Sequence, residues 1–212
     1  MPKLNTNNPR VRAYIVDVCT RWVQDYGIDA LRLDVANEIS HQLCREIHSA
    51  MHALKPDFFI VGEIWNNALP WLRGDEFDSV INYPLRAAIK NFALDPALTA
   101  THLERQLNHC LSLYYEQTER VLLNQLDSHD TPRLVTEAGH DAALQCLALL
   151  FAMPGSACIY YGTEVLLPGG HDPDCRRCMP WNEIAAGGYT HERAFVRALI
   201  HARREYPALR ST

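Results

Sequence analysis

The chain has 212 residues, 48% of them hydrophobic, and 20 Lys and Arg against 25 Asp and Glu give a formal charge of −5. That length and apolar content suit one globular unit with a sizeable core, while an acidic balance with no Lys/Arg run longer than a pair excludes the counterion-releasing patch that nucleic acid or an anionic membrane needs. No apolar stretch approaches the roughly 20 residues of a membrane span, and the polar opening residues carry no signal-peptide run, so a soluble, cytoplasmic protein is expected.

In chain order, Pro9 near a first turn, apolar residues at Val11, Ile15, Val18, Trp22 and Val23, and Gly27 after the end predict a helix to Tyr26. Ile28 to Val35 reads as a buried parallel strand, Asn37 to Leu54 as an amphipathic helix, Phe58 to Glu63 as a second strand, and Asp78 to Asn82 as a shorter third. Helices follow at Leu85 to Phe92 and Leu98 to Thr118, then a strand at Val121 to Leu126. A helix at Asp141 to Phe151, a fifth strand at Ala157 to Tyr161 and a helix at Glu192 to Arg204 complete the series. Alternation of this kind predicts an α/β fold with parallel strands and outer helices. Five strands are fewer than a closed eight-strand barrel requires, so the sheet is either open or part of a barrel.

Seven cysteines make an odd number, and Cys19, Cys44, Cys110, Cys146 and Cys158 sit in apolar patterns where a reduced thiol serves as a small hydrophobe. A lone Cys175-Arg-Arg-Cys178 has no second ligand pair and reads as loop thiols. No glycine-rich phosphate loop follows a strand, so nucleotide binding has no support.

In α/β sheets the functional residues gather beyond the carboxyl ends of the strands. There the chain places Arg32 and Asp34, two apart and so on one face, then Glu63, then Ser128-His129-Asp130. Singly each has a structural reading: an ion pair, a turn cap, a cap for a helix begun by Pro132. Together, three acids at three strand ends point to glycoside hydrolysis, whose oxocarbenium-like transition state needs one ionised carboxylate and one proton-donating carboxyl. Asp34, beside the fixed charge of Arg32, suits the first role; Glu63, emerging from an apolar strand, suits the second.

These segments resemble the α-amylase superfamily of glycoside hydrolases. Asp29-Ala-Leu-Arg-Leu-Asp-Val-Ala-Asn37 is similar to the family's nucleophile strand, Val61-Gly-Glu-Ile-Trp65 to its acid/base strand, and Ser128-His-Asp-Thr-Pro-Arg133 to the strand of its third acid, in the family's order. The opening Met1-Pro-Lys-Leu-Asn5, Phe77-Asp with Asn82-Tyr-Pro84, Met153-Pro-Gly155 with Ile159-Tyr-Tyr-Gly162, and Gly169 to Trp181 resemble the neopullulanase, cyclomaltodextrinase and maltogenic amylase subgroup.

The resemblance implies a partial (β/α)8 barrel over residues 1–212, covering strands four to eight, without the first three strands, the N-terminal β-sandwich through which full-length relatives dimerise, or the C-terminal β-domain. A fragment, a mis-assigned start or a truncated gene is the corresponding expectation. By the same resemblance, Asp34 is the nucleophile, Glu63 the acid and then base, and Asp130 the carboxylate holding sugar hydroxyls. His129 donates a hydrogen bond beside Asp130, Arg32 orients Asp34, and Asp172 with Arg176 contact an α-glucan substrate or form a solvated ion pair. No cofactor is implied, and no bound metal is expected. Trp65 and Trp71 suit sugar stacking or loop packing, and Tyr160 and Tyr161 read as core. Two residues depart from the family pattern. Asp127, in place of a glycine, is expected to perturb the Asp130 loop, and Thr163, in place of an acid, to remove a structural contact. The implied activity is hydrolysis of α-1,4 links with retention. The alternatives are a transglycosylating or α-1,6-acting relative and an inactive remnant.

Overall fold

The computed structural model describes residues 3–210, so Met1 and Pro2 of the opening motif lie outside the described residues. The chain divides into two units, residues 1–81 and 82–212.

The first unit runs α1 (Pro9–Tyr26), β1 (Ala30–Leu33), α2 (His41–Leu54), β2 (Phe59–Gly62) and β3 (Ser79–Val80). The Asn8 side chain accepts from Arg10 N at the start of α1, and Gly27, at φ 65°, ends it in the left-handed region that glycine enters without a Cβ clash. The second helix starts later than its apolar pattern suggests. Ser40 accepts from Leu43 N and sets the start at His41, while Ala36–Glu38 form a single tighter turn.

The strands pair in parallel in the order β1-β2-β3, with Arg32 opposite Val61 and Leu33 opposite Gly62. Because β1 is the edge strand, Leu31 and Leu33 are only half-buried, where the sequence pattern predicts a strand covered on both faces. The core lies under α2, whose Leu43, Cys44, Ile47 and Met51 are buried on one stripe, with Ile60 and Val80 from the sheet and Phe58 just before β2 also buried. Gly62 is required by packing, since a Cβ there would stand 2.6 Å from the buried Phe77 ring.

The second unit runs α3 (Tyr83–Leu94), α4 (Ala100–Leu111), α5 (Glu116–Glu119), β4 (Leu123–Asn124), α6 (Leu134–Ala138), α7 (His140–Ala152), β5 (Ser156–Ala157), α8 (Trp181–Ala185) and α9 (Thr190–Glu205). Strands β4 and β5 pair in parallel, and Asn82 Nδ2 donates to Asn124 Oδ1 at 2.8 Å in the interior. The single helix predicted over 98–118 is two. The Ser112 hydroxyl donates to His109 O at the end of α4, and the break turns the chain so that Tyr114, Thr118 and Glu119 are buried. The core gathers Leu85 and Ile89 of α3, Leu144, Leu147 and Leu150 of α7, and Val196 of α9. Each such leucine contributes about 2 kcal/mol through removal from water. The parallel α/β alternation is as the sequence implies, with strands of two to four residues rather than five to eight.

Candidate active site

Within residues 1–81, Arg32 of the edge strand joins both predicted carboxylates. Its Nη1 donates to Asp34 Oδ1 at 2.6 Å, and its Nη2 lies 3.0 Å from Glu63 Oε2. One guanidinium thus brings the two carboxylates together as neighbours. The guanidinium therefore serves both acids, where the sequence reading gives it to Asp34 alone.

Their surroundings differ sharply. The Glu63 side chain is 4% exposed and Asp34 is 69% exposed. Glu63 Oε2 also accepts from Val35 N at 3.0 Å, and Oε1 accepts from Trp65 Nε1 at 3.3 Å.

The peptide around Asp34 is held in an unusual shape by the same residue. Glu63 N donates to Leu33 O and Ala36 N to Glu63 O, locking a turn in which Val35 sits at φ 44°. A β-branched residue in that region is strained, and such strain persists only where neighbouring bonds over-determine it. Trp65 is half-exposed beside Glu63, open to a ligand, whereas Trp71 stacks on His41 at 5.0 Å and belongs to loop packing.

Within residues 82–212, His129 Nε2 lies 3.0 Å from Asp130 Oδ2, and Arg176 Nη2 lies 3.4 Å from Asp130 Oδ1. Arg176 Nε reaches Asp172 Oδ1 at 2.7 Å and also donates to His129 O at 3.0 Å. Arg176 therefore does more than form a loop ion pair with Asp172; it ties that loop to His129 and Asp130. Cys175 is buried with its thiol on His129 O, while Cys178 is exposed.

Asp130 does not cap the helix after Pro132. That role falls to Asp127, whose Oδ2 accepts from Leu134 N at 3.0 Å, leaving Asp130 half-exposed. The two departures from the family pattern are partners, since the Thr163 hydroxyl donates to Asp127 Oδ1 at 2.7 Å with both side chains buried. Asp127 thus joins the start of the helix after Pro132 to Thr163 through two buried hydrogen bonds. Burial pushes the Asp127 carboxyl up, against the two hydrogen bonds it accepts, which pull it down.

Arg133 carries no role in the sequence reading, yet it is fully buried and braces the loops around Asp130. Its Nε donates to Cys175 O at 2.7 Å, its Nη1 to Tyr161 O at 2.6 Å, and its backbone N to Gly169 O. Its guanidinium lies 4.1 Å from the Tyr160 ring centroid and 4.8 Å from that of Tyr161. Those tyrosines are not core as read from sequence: Tyr161 is exposed and Tyr160 half-buried. Burial and the neighbouring Tyr161 push the Tyr160 hydroxyl up to about 12.

Charged and aromatic side chains beyond the ends of parallel strands make this an α/β protein whose candidate site lies at the carboxyl ends of its strands. The chain belongs to the alpha-amylase family: residues 1–206 match the alpha amylase catalytic domain. It is 48% identical over 212 residues to a cyclomaltodextrinase of Geobacillus thermopakistaniensis, covering 99% of this chain and 36% of that protein. Neopullulanase 2 of Thermoactinomyces vulgaris is 44% identical over 211 residues, with the same coverage. A solved structure of the cyclic α-maltosyl-(1→6)-maltose hydrolase of Arthrobacter globiformis, in complex with cyclic α-maltosyl-(1→6)-maltose, superposes with a TM-score of 0.92. Its identity is 39%, covering 98% of this chain and 47% of that one. The chain thus spans between a third and a half of the length of these relatives.

Proposed function

We propose that this chain carries the acids of a retaining α-glucan hydrolase that cleaves α-1,4 links of cyclodextrins, pullulan and maltodextrins. The observation that carries the reading is the shared guanidinium, with Arg32 holding an exposed Asp34 and a buried Glu63 side by side. Asp34 attacks the anomeric carbon while Glu63 gives its proton to the departing glycosidic oxygen, which leaves as a hydroxyl. Glu63, now ionised, takes a proton from water, whose oxygen displaces Asp34 from the glycosyl ester with net retention. Asp130 accepts from the C2 and C3 hydroxyls, His129 donates beside it, and Asp172 and Arg176 contact further sugar. Trp65 offers its half-exposed ring face to a pyranose.

The five strands correspond, in this reading, to strands four to eight of a (β/α)8 barrel. Seven free thiols suit a reducing compartment such as the cytoplasm, and no helix among the described residues is long and apolar enough to cross a membrane. The α-1,6-acting alternative draws support from the Arthrobacter globiformis hydrolase, whose substrate, cyclic α-maltosyl-(1→6)-maltose, carries a (1→6) link.

The test is release of reducing ends from β-cyclodextrin by the 212-residue chain, with circular dichroism confirming folding. Glu63→Gln is expected to lower the rate on the order of 10³-fold, and Asp34→Asn at least as much. A folded chain with no activity, or activity indifferent to Glu63→Gln, overturns the reading. Faster cleavage of panose at its (1→6) than at its (1→4) link selects the alternative.

A further inference from the structure

We propose that His48, His52 and Asp78 form a binding site for a borderline divalent transition-metal ion of the zinc class. The three side chains offer ligand atoms that all lie within 4.8 Å of one another. The sequence alone leaves no metal expected, because nothing in it brings a residue 26 positions after His52 to that histidine.

The hydrogen bonds decide which atoms face the ion. His48 Nδ1 lies 3.2 Å from the carbonyl oxygen of Glu76, and His52 Nδ1 lies 3.0 Å from that of His48. A carbonyl only accepts, so each Nδ1 carries the hydrogen and, in the neutral ring, each Nε2 keeps its lone pair. A ring N–H anchored on a backbone carbonyl is the outer-shell arrangement that orients metal-binding histidines and fixes their tautomer.

The spacing agrees. His48 and His52 are one turn apart on α2, the i, i+4 placement that puts two imidazoles on one helix face, and their rings stack at 4.1 Å. His52 Nε2 stands 3.6 Å from Asp78 Oδ1, too far for a hydrogen bond. That distance is close to the roughly 3.4 Å edge of a tetrahedron with metal–ligand bonds of about 2.1 Å. Asp78 is itself held, its Oδ2 accepting from Ile60 N at 2.8 Å. The His52 and Asp78 side chains are 24% and 28% exposed, which lets an ion enter yet removes much of the competing water. Two imidazoles and one carboxylate leave a fourth position for water or an outside ligand. An ion there would clip α2 to the segment entering β3, so binding would stabilise the first unit.

A second histidine cluster shows what such a site must avoid. His140, His191 and Glu192 also lie close together, but His140 Nδ1 is 2.8 Å from Asp141 Oδ1 and its Nε2 is 2.9 Å from Glu192 Oε1. Carboxylates on both nitrogens hold two hydrogens on that ring and raise its pKa, leaving no lone pair for a metal.

The experiment titrates Zn²⁺ into the metal-free 212-residue chain at about pH 7.5 by calorimetry, with Co²⁺ absorption as a readout of tetrahedral coordination. One equivalent is expected, weakened on the order of 100-fold in His52→Gln and in His48→Gln and unchanged in His140→Gln and Cys178→Ser. Zn²⁺ should raise the thermal midpoint of the unsubstituted chain and leave that of His52→Gln where it was. Absence of stoichiometric binding by the folded chain overturns the proposal. So does binding undiminished in both His48→Gln and His52→Gln, or binding abolished by His140→Gln.

Discussion

Replacing Arg133 by methionine tests whether a buried cation holds the Asp130 loop together. The guanidinium makes two hydrogen bonds to backbone carbonyls, those of Cys175 at 2.7 Å and Tyr161 at 2.6 Å. A bond from a charged donor contributes about 1.5–3 kcal/mol. Its position over the Tyr160 and Tyr161 rings adds about 1–2 kcal/mol. Against these stands the desolvation of the cation, several kcal/mol that methionine does not incur, and Nη2 is buried without a partner. Methionine fills most of the volume but leaves two carbonyls without their donor, for a net loss of about 3 kcal/mol. For a chain of this size that corresponds to roughly 6–12 °C in the thermal midpoint. The measurement is thermal and urea unfolding by circular dichroism, with Arg177→Met as the reference, since the Arg177 side chain is exposed and pairs with the nearby, exposed Asp174. Arg177→Met is expected to leave the midpoint unchanged. A midpoint for Arg133→Met within 2 °C of the unsubstituted chain, or equal to that of Arg177→Met, refutes the reasoning.

Two further outcomes follow from burial in the second unit. Glu119 is buried with Oε1 unpartnered, and burial raises its carboxyl from 4.5 to about 7. A raised folded value means its stability contribution is intact below about pH 4.5 and is lost as pH rises through about 7, so the ionised form costs up to about 3 kcal/mol at pH 8. Glu119→Gln should therefore gain urea resistance over the unsubstituted chain at pH 8 and little at pH 4.5; a gain independent of pH contradicts the assignment. Leu147, fully buried between the helices of that unit, should lose about 3 kcal/mol on truncation to alanine, while half-exposed Leu111 should lose under about 1 kcal/mol. Equal losses in chemical denaturation would place the core elsewhere.

Sequence by itself determined what is local. Asn8, Pro9 and Gly27 delimit α1 because caps act within one turn. The alternation of apolar strands with amphipathic helices implies parallel pairing because parallel strands need a crossover. The acids at Asp34, Glu63 and Asp130 stand out because charge beyond an apolar strand is costly unless used. Even Asp172 with Arg176, four apart, is visible as a pair.

Tertiary structure decided the rest, because each remaining contact joins residues whose spacing in the chain carries no period. Arg32 reaches Glu63 across the β1-β2 ladder, Thr163 finds Asp127, and Asp78 arrives beside two histidines of α2. Arg133 looks like a surface residue by composition, and only folding reveals two carbonyls and two rings waiting for its charge. The helix break at Ser112 and the strain at Val35 were hidden for the same reason: local preference opposes both, and burial of Tyr114 and the Glu63 hydrogen bonds outweigh it.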